Sequence, residues 1–224
     1  MDLPTMIGVI LVAVISITSH EAAHGFVADW LGDPTAREQG RLTLNPIPHI
    51  DLFFTILLPL FLILSGSAFI FGGAKPVPVH VSRLRSPRRD WALVGAAGPG
   101  MNIFLVLLLT IFLLIVTRLG LADRTTGLTE VLAVGIFLNA LLTIFNLLPI
   151  PPLDGSRIFQ YLLTGESLRL YRRLDQYGLI IILALLYFVP QFQALISVAI
   201  FGFVEVITLP FGVWVDIEPL LRGG

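Results

Sequence analysis

The sequence alternates between long apolar runs and shorter segments that carry nearly all of its charge. Five runs without a charged side chain cover residues 3–19, 52–74, 91–117, 131–153 and 176–204. A helix needs about 20 apolar residues to cross the hydrocarbon layer of a membrane. The pattern therefore predicts an all-α polytopic membrane protein, a bundle of about five or six transmembrane helices.

Composition agrees with this pattern and excludes several classes of protein. The 224 residues are 56% hydrophobic and 13% charged, and their mean hydropathy is +0.90. A soluble enzyme needs roughly twice that charged fraction at its surface. The net charge of −1 gives no reason to expect a nucleic-acid partner. Because the chain has no cysteine, a metal ion would have to be bound by histidine and carboxylate.

Basic residues concentrate in two of the connectors between the apolar runs. The connector 118–130 holds only Arg118 and Arg124. Residues 72–90 and 151–175 hold the larger groups, namely Lys75, Arg83, Arg85, Arg88 and Arg89, and Arg157, Arg169, Arg172 and Arg173. The positive-inside rule places these two connectors in the cytoplasm and 118–130 outside.

A metal-binding pattern follows the first apolar run directly. Residues 20–24 read His-Glu-Ala-Ala-His. On a helix, His20 and His24 lie on one face, one turn apart, and can bind the same Zn²⁺ with Glu21 beside its open position. The alternative is a polar helix end at the membrane interface. Three ionisable residues continuing an apolar span are costly unless a function retains them, and we favour the metal site.

A catalytic zinc usually has a third protein ligand. His49 and His80 are the other histidines, but Asp154 is the better candidate. It ends the fourth run after Pro149, Pro151 and Pro152, which break the helix, and before Gly155, which permits a tight turn. A carboxylate there can point back into the bundle. The alternative is a solvated aspartate in an ordinary turn.

Together, these motifs resemble the site-2 protease family of intramembrane zinc metalloproteases. The matching segments lie within residues 5–160: HEAAH at 20–24, GRLTLNP at 40–46, AKPVPV at 74–79, AGPGMN at 97–102 and NLLPIPPLDG at 146–155. The resemblance is to the compact bacterial and archaeal branch, without PDZ or CBS domains. It implies one membrane-embedded protease domain over 1–224, with a catalytic core of about 5–160 and C-terminal helices at about 176–215.

The resemblance also implies roles for individual residues. His20, His24 and Asp154 would bind Zn²⁺, Glu21 would act as general base, and Asn146 would position or polarise the substrate. Asn102 and Asn139 are weaker candidates for that polarising role, because an asparagine in a membrane helix often serves only to join helices. The expected partners are the lipid bilayer and single-pass or small transmembrane protein substrates, with no nucleic acid. The expected location is the cell membrane, with the active site near its cytoplasmic side.

Sharing one metal ion constrains the topology. The histidine pair ends the first run and Asp154 ends the fourth, so these two helices should be parallel, with an odd number of crossings between them. Residues 91–117 supply one crossing. We therefore expect residues 52–71 to be re-entrant, or their crossing to be undone by extended chain near 72–81.

Two segments, 40–46 and 74–79, are predicted to be extended because aliphatic or β-branched residues alternate with proline or polar ones. By resemblance, they form a short membrane-associated extended or β segment whose edge receives an unwound substrate. The competing functional hypothesis is a metal-binding membrane protein without catalysis, such as a transporter or a scaffold. The intact Glu21 argues against a scaffold, which needs no base.

Overall fold

The structure is a computed structural model that describes residues 2–57, 61, 64, 72–121 and 126–213, without the side chains of Phe54 and Ile56. This part of the chain forms eight α-helices: α1 (Leu3–Trp30), α2 (Thr35–Glu38), α3 (Pro87–Arg118), α4 (Gly127–Asn146), α5 (Asp154–Leu162), α6 (Gly165–Arg173), α7 (Gly178–Phe188) and α8 (Pro190–Thr208). A π-helical turn covers Leu52–Leu57. Short 3-10 turns lie at Ile47–His49, Val81–Arg83, Leu174–Gln176 and Leu209–Phe211.

Four of these helices are long and apolar enough to cross a membrane. They are α1, α3, α4 and the stretch Pro190–Phe211, with 28, 32, 20 and 22 residues. The chain is therefore a multi-pass membrane protein. Among the described residues these are the candidate spans, and the prediction of about five or six also counted 52–71. Most of 52–71 lies outside the described residues, so its re-entrant course stays a prediction.

The fifth apolar run is divided between two helices rather than forming one span. Helix α7 ends at Phe188 and α8 begins with Pro190 in its first turn. Proline fits there because the first turn of a helix needs no N–H donor. The 11 residues of α7 give a helix about 16 Å long, which is too short to cross the hydrocarbon layer.

Helix α1 is polar on its inner face and apolar on its outer face. Its buried residues are small or polar: Thr5, Ser16, Thr18, Ser19, His20, Ala22, Ala23, His24, Gly25 and Ala28. Its large aliphatic side chains, such as Ile10, Leu11 and Ile15, are more than half exposed. This inverted pattern suits a helix whose outer surface meets lipid and whose inner surface holds functional groups.

Helices α1 and α4 are parallel, and α3 runs against both. A Cβ on Gly127 would meet Thr5, a Cβ on Gly8 would meet Val131, and a Cβ on Gly135 would meet Val12. The paired numbers rise together, as they do between parallel helices. By contrast, His20 contacts Asn102 and His24 contacts Val94, so the numbers on α3 fall as those on α1 rise. The topology required for a shared metal is therefore present.

An apolar core joins α3, α4 and α8 beyond the polar interior of α1. Its buried residues are Val106, Leu113, Val116, Leu132, Ile136, Ala140, Ile196, Ile200 and Val204. A second, smaller core of Ala28, Leu31, Leu84 and Val94 joins the end of α1 to the start of α3. The two cores hold α1, α3 and α4 against one another on either side of the polar contacts.

Neither of the two segments predicted to be extended, 40–46 and 74–79, forms a strand, and the described residues contain no strand. The backbone of residues 74–79 is instead held by hydrogen bonds with a side chain and with the backbone of a neighbouring 3-10 turn. The buried Arg41 donates through Nη2 to Lys75 O at 2.7 Å, and Lys75 N donates to His49 O at 2.8 Å. Just beyond the segment, His80 N donates to Asp33 Oδ2 at 2.5 Å.

Burial raises the pKa of Asp33, but hydrogen bonds from Thr35 and from the His80 N–H outweigh it and hold that pKa below its usual value. Asp33 therefore remains charged and binds the backbone N–H of His80, just after residues 74–79.

Candidate metal centre

Three side chains from two distant parts of the sequence converge at the end of α1. His20 Nε2 and His24 Nε2 each lie 3.1 Å from Asp154 Oδ2, and the two Nε2 atoms lie 3.2 Å apart. All three residues are buried. Among the described residues, His20, His24 and Asp154 form the one group of histidine and carboxylate side chains that could hold a metal ion.

The other ring nitrogen of each histidine is engaged by α3. His24 Nδ1 lies 2.6 Å from the backbone oxygen of Val94, and His20 Nδ1 lies 2.5 Å from Asn102 Oδ1. A backbone carbonyl can only accept, so His24 Nδ1 carries a proton and its Nε2 presents a lone pair when the ring is neutral. Such contacts orient metal-binding histidines in proteins.

Asp154 reaches the histidines because the chain reverses sharply after α4. The reversal ends at Leu153, and Asp154 is the first residue of α5. A Cβ on Gly155 would lie 2.2 Å from Leu147 O, so only glycine permits this close return. Arg157, one turn later, contacts Asp154 Oδ1 at 3.1 Å and leaves Oδ2 to face the histidines.

The donor set fits a metal ion of the zinc type. Asp154 Oδ2 is buried and has no hydrogen-bond partner, and it faces Nε2 of His20 and Nε2 of His24, which presents a lone pair when neutral. A cation would satisfy all three atoms at once. Tetrahedral zinc with bonds of about 2.0–2.1 Å separates its ligand atoms by about 3.3–3.4 Å, close to the observed triangle of 3.1, 3.1 and 3.2 Å.

Gly98 of α3 forms the wall of this site. A Cβ at this position would lie 2.5 Å from Nε2 of His20 and 2.5 Å from Nε2 of His24. The imidazole rings cannot move away from such a methyl group, because their Nδ1 atoms are bound to Asn102 and Val94 of the same helix. Gly98 therefore provides the space in which the ion would be bound.

Gly98→Ala is expected to weaken zinc binding about 10- to 100-fold. The added methyl group would overlap histidine rings that cannot move away, and overpacking by one methyl group costs about 1–3 kcal/mol. Zinc affinity of the purified protein, measured by competition with a chelator, checks this. Gly100→Ala is the matched control, since a Cβ there meets nothing within 4 Å. Equal affinities for the two variants would show that Gly98 does not define the site.

Glu21 lies on α1 between the two histidines and is half-buried. Its Oε2 accepts a hydrogen bond from the backbone N–H of Val77 at 3.1 Å. The backbone just before Val77 is held by Arg41, through Lys75 O at 2.7 Å and Pro76 O at 3.4 Å. The segment predicted to be extended therefore runs directly past the carboxylate of Glu21.

The remaining predicted residues lie elsewhere or make other contacts. Asn146, at the end of α4, donates from Nδ2 to Leu142 O at 3.0 Å, which engages its donor within its own helix. His49 is buried with Nε2 3.1 Å from Thr43 O, and His80 is exposed. Neither histidine belongs to the metal group. Asn102 and Asn139 join α3 to α4 by a hydrogen bond, and Asn102 also contacts His20, one of the candidate metal ligands.

Several groups that contact the site are not among the residues predicted from the sequence. Val94 acts through its backbone oxygen, so its side chain gives no signal. Arg157 could have been found from its spacing of three from Asp154 at the start of a helix. Gly98 lies in the AGPGMN segment at 97–102, which does not show that this residue faces the histidine rings.

Comparisons with known proteins show the family of the chain. The model of peptidase family M50 matches residues 120–189. The chain is 40% identical over 179 residues to a protein of Bacillus subtilis (strain 168) named "Putative zinc metalloprotease YwhC", a match that covers 79% of this chain and 78% of that protein. No solved structure matches the chain significantly.

Two mycobacterial relatives carry the same description under the name Rip2. The protein of Mycolicibacterium smegmatis is 31% identical over 77% of this chain and 64% of its own length. That of Mycobacterium tuberculosis (strain H37Rv) is 33% identical over 77% of this chain and 63% of its own length. Fold and site define a multi-pass membrane protein with a buried His-His-Asp group that could hold a metal ion. The chain belongs to peptidase family M50, the site-2 protease family.

Proposed function

We propose that this protein is an intramembrane zinc metalloprotease that hydrolyses peptide bonds in transmembrane segments of other proteins. The observation that carries the proposal is the buried triangle of His20 Nε2, His24 Nε2 and Asp154 Oδ2, with the carboxylate of Glu21 next to it in the sequence. The single domain proposed from the sequence is consistent with a site assembled from α1, α3 and α5.

In this proposal, His20, His24 and Asp154 hold Zn²⁺, which when bound supplies an acidified water and polarises the scissile carbonyl. Glu21 is the general base: its carboxylate takes the proton of the attacking water and passes it to the leaving amine. The Val77 N–H fixes Oε2 of Glu21 at 3.1 Å, so the base has a defined direction.

Asn146 remains the proposed group that polarises the substrate, by family resemblance. For this role its Nδ2 must leave Leu142 O and turn toward the substrate carbonyl. Its position at the C-terminal end of α4, eight residues before Asp154, supports the proposal because few residues separate it from the site.

The substrate would bind extended beside residues 74–79. A helix hides its peptide bonds, so a protease within lipid must act on an unwound segment. The backbone at Val77 touches Glu21, and Arg41 holds the two preceding carbonyl groups in place. A substrate strand alongside this backbone would lie next to the base. Single-pass and small membrane proteins are the substrates that such an edge would accept.

The active site would lie near the cytoplasmic side of the cell membrane. The basic start of α3 meets the end of α5 where Arg88 donates to Tyr161 O at 2.7 Å. Both basic connectors therefore lie at the same end of the bundle as Asp154. The positive-inside rule assigns such an end to the cytoplasm.

Metal removal tests the function directly. Purified protein in detergent is incubated with a synthetic transmembrane segment, and 1,10-phenanthroline is expected to lower cleavage at least about 100-fold, because several kcal/mol of barrier lowering depend on the ion. Addition of zinc should restore cleavage. The non-chelating isomer 1,7-phenanthroline is the control and should have no effect.

Two outcomes would contradict the proposal. Cleavage that persists after mass spectrometry shows the metal to be gone would exclude a metalloprotease. Zinc binding without cleavage of any of a panel of transmembrane segments would support the alternative, a metal-binding transporter or scaffold.

A further inference from the structure

A chain of buried hydrogen bonds runs from the interior of α4 to the imidazole of His20. Asn102 Oδ1 lies 2.5 Å from His20 Nδ1, and Asn102 Nδ2 donates to Asn139 Oδ1 at 2.8 Å. Asn139 Nδ2 donates in turn to Ser16 Oγ and to Gly135 O, each at 2.8 Å. Both asparagines have 0% exposed surface.

The direction of this chain is set at its far end. A carboxamide turned by half a rotation keeps its shape but exchanges its donor and acceptor. Gly135 O is a backbone carbonyl and can only accept, so the atom of Asn139 that faces it must be the NH2 donor. Asn139 Oδ1 then faces Asn102, which must donate a hydrogen bond to it from its own NH2 group. Asn102 Oδ1 is left for His20 Nδ1, which must carry a proton to donate.

We propose that Asn139 is a positioning residue for the metal centre: through Asn102 it fixes His20 with Nδ1 protonated and Nε2 free to bind the ion. This inference rests on the proposed metal site and adds to it a residue one hydrogen bond removed from the ligand. Asn139 thereby sets which nitrogen of His20 meets the metal.

The contrast between the two histidines explains why only His20 needs this arrangement. His24 Nδ1 faces the backbone oxygen of Val94, which accepts in every conformation and needs no further control. His20 Nδ1 faces an amide, which presents either a donor or an acceptor. If the amide of Asn102 turned, its NH2 group would require the lone pair at Nδ1 and place the proton at Nε2, where it would exclude the metal.

Interhelical adhesion alone predicts a different result. Asparagines that merely join helices contribute to stability, and their loss would lower the melting temperature without a specific effect on metal affinity. A positioning role predicts that the effect of Asn139 on affinity depends on which residue stands at position 102. The two roles are separable by measuring both quantities in the same variants.

The test measures zinc affinity by chelator competition, and thermal unfolding of the metal-free protein, in purified full-length variants. Asn102→Leu is expected to weaken zinc binding about 10- to 100-fold, as the loss of an orienting partner usually does. Asn139→Leu should weaken it about 10-fold. The double variant should bind zinc no more weakly than Asn102→Leu, because Asn139 acts through Asn102.

The decisive comparison uses Asn102→Asp. A carboxylate has only acceptors, so it cannot present the wrong group to His20 Nδ1. In this background Asn139→Leu should leave zinc affinity within about twofold, although it costs about 10-fold in the parent. Asn139→Ala serves in both backgrounds if leucine is not accommodated at this position.

Thr110→Val is the control, since it deletes a fully buried hydrogen bond to Val106 O on the same helix as Asn102 without touching the chain. It should change stability but not affinity. Equal zinc affinity of the parent and Asn139→Leu, or an equal loss in both backgrounds, would overturn the inference. Absence of zinc binding by the parent would instead overturn the proposed function.

Discussion

Glu21→Gln is expected to keep zinc bound and to lower cleavage of a transmembrane segment about 10²- to 10⁴-fold, the usual contribution of a general base. Glutamine has the shape of glutamate, and its oxygen can still accept the hydrogen bond from the Val77 N–H. It cannot take a proton from water at neutral pH. The zinc affinity should stay within about threefold, because Glu21 is not among the three ligands.

Two measurements check this result on the same preparation: zinc content by mass spectrometry and the initial rate of substrate cleavage. Glu166→Gln, an exposed residue in the first turn of α6, provides the matched control and should retain full activity. If the Glu21 variant cleaves as fast as the control, the assignment of Glu21 as the base is wrong. If it loses zinc as well, Glu21 contributes to metal binding.

Asp154→Ala is expected to lose both zinc and cleavage. Structural zinc sites bind with about 10–16 kcal/mol, so the loss of one of about four ligands costs about 3–4 kcal/mol, or about 10²- to 10³-fold in affinity. The substitution also removes the carboxylate that Arg157 contacts at 3.1 Å, and leaves that cation without its partner. Cleavage should fall to the level of the metal-free protein.

Asp175→Ala controls for the loss of a carboxylate, since Asp175 is exposed in the turn after α6. Excess zinc should partly restore cleavage by the Asp154 variant if its defect is affinity alone. Retention of zinc at parental affinity in Asp154→Ala would remove Asp154 from the ligand set, and with it the main support for the proposed metal centre.

The convergence of the three candidate ligands could be predicted from sequence because their spacing follows from local geometry. Four residues make one turn of helix, so the pairing of His20 and His24 needs no knowledge of the fold. Asp154 was identified from a helix broken by prolines. The shared position of these residues also fixed the relative direction of α1 and α4.

The groups that orient the ligands could not be predicted in the same way. The backbone oxygen of Val94 and the empty space at Gly98 depend on where α3 crosses α1, which no local pattern records. The role of Asn102 was open for the same reason: an asparagine in an apolar helix can meet any neighbour, and only the packing shows that its neighbour is His20.

One predicted span differs in the structure because hydropathy alone does not show where an apolar run is interrupted. The run 176–204 is long enough for one span, yet Val189 and Pro190 end one helix and begin another. Alternation and prolines predicted an extended or β segment at 74–79, but its backbone bonds to side chains and to His49 O and forms no strand.

One turn of α3 touches both halves of the metal centre. Gly98 abuts the rings of His20 and His24, while a Cβ on Gly95 would lie 2.9 Å from Asp154 O. The distance between the halves is thus set by their contacts with a single helix rather than by the lengths of the connections at 31–86 and 119–126. Homologous chains should therefore tolerate insertions in those connections without loss of the metal, since longer loops add only a small entropic cost.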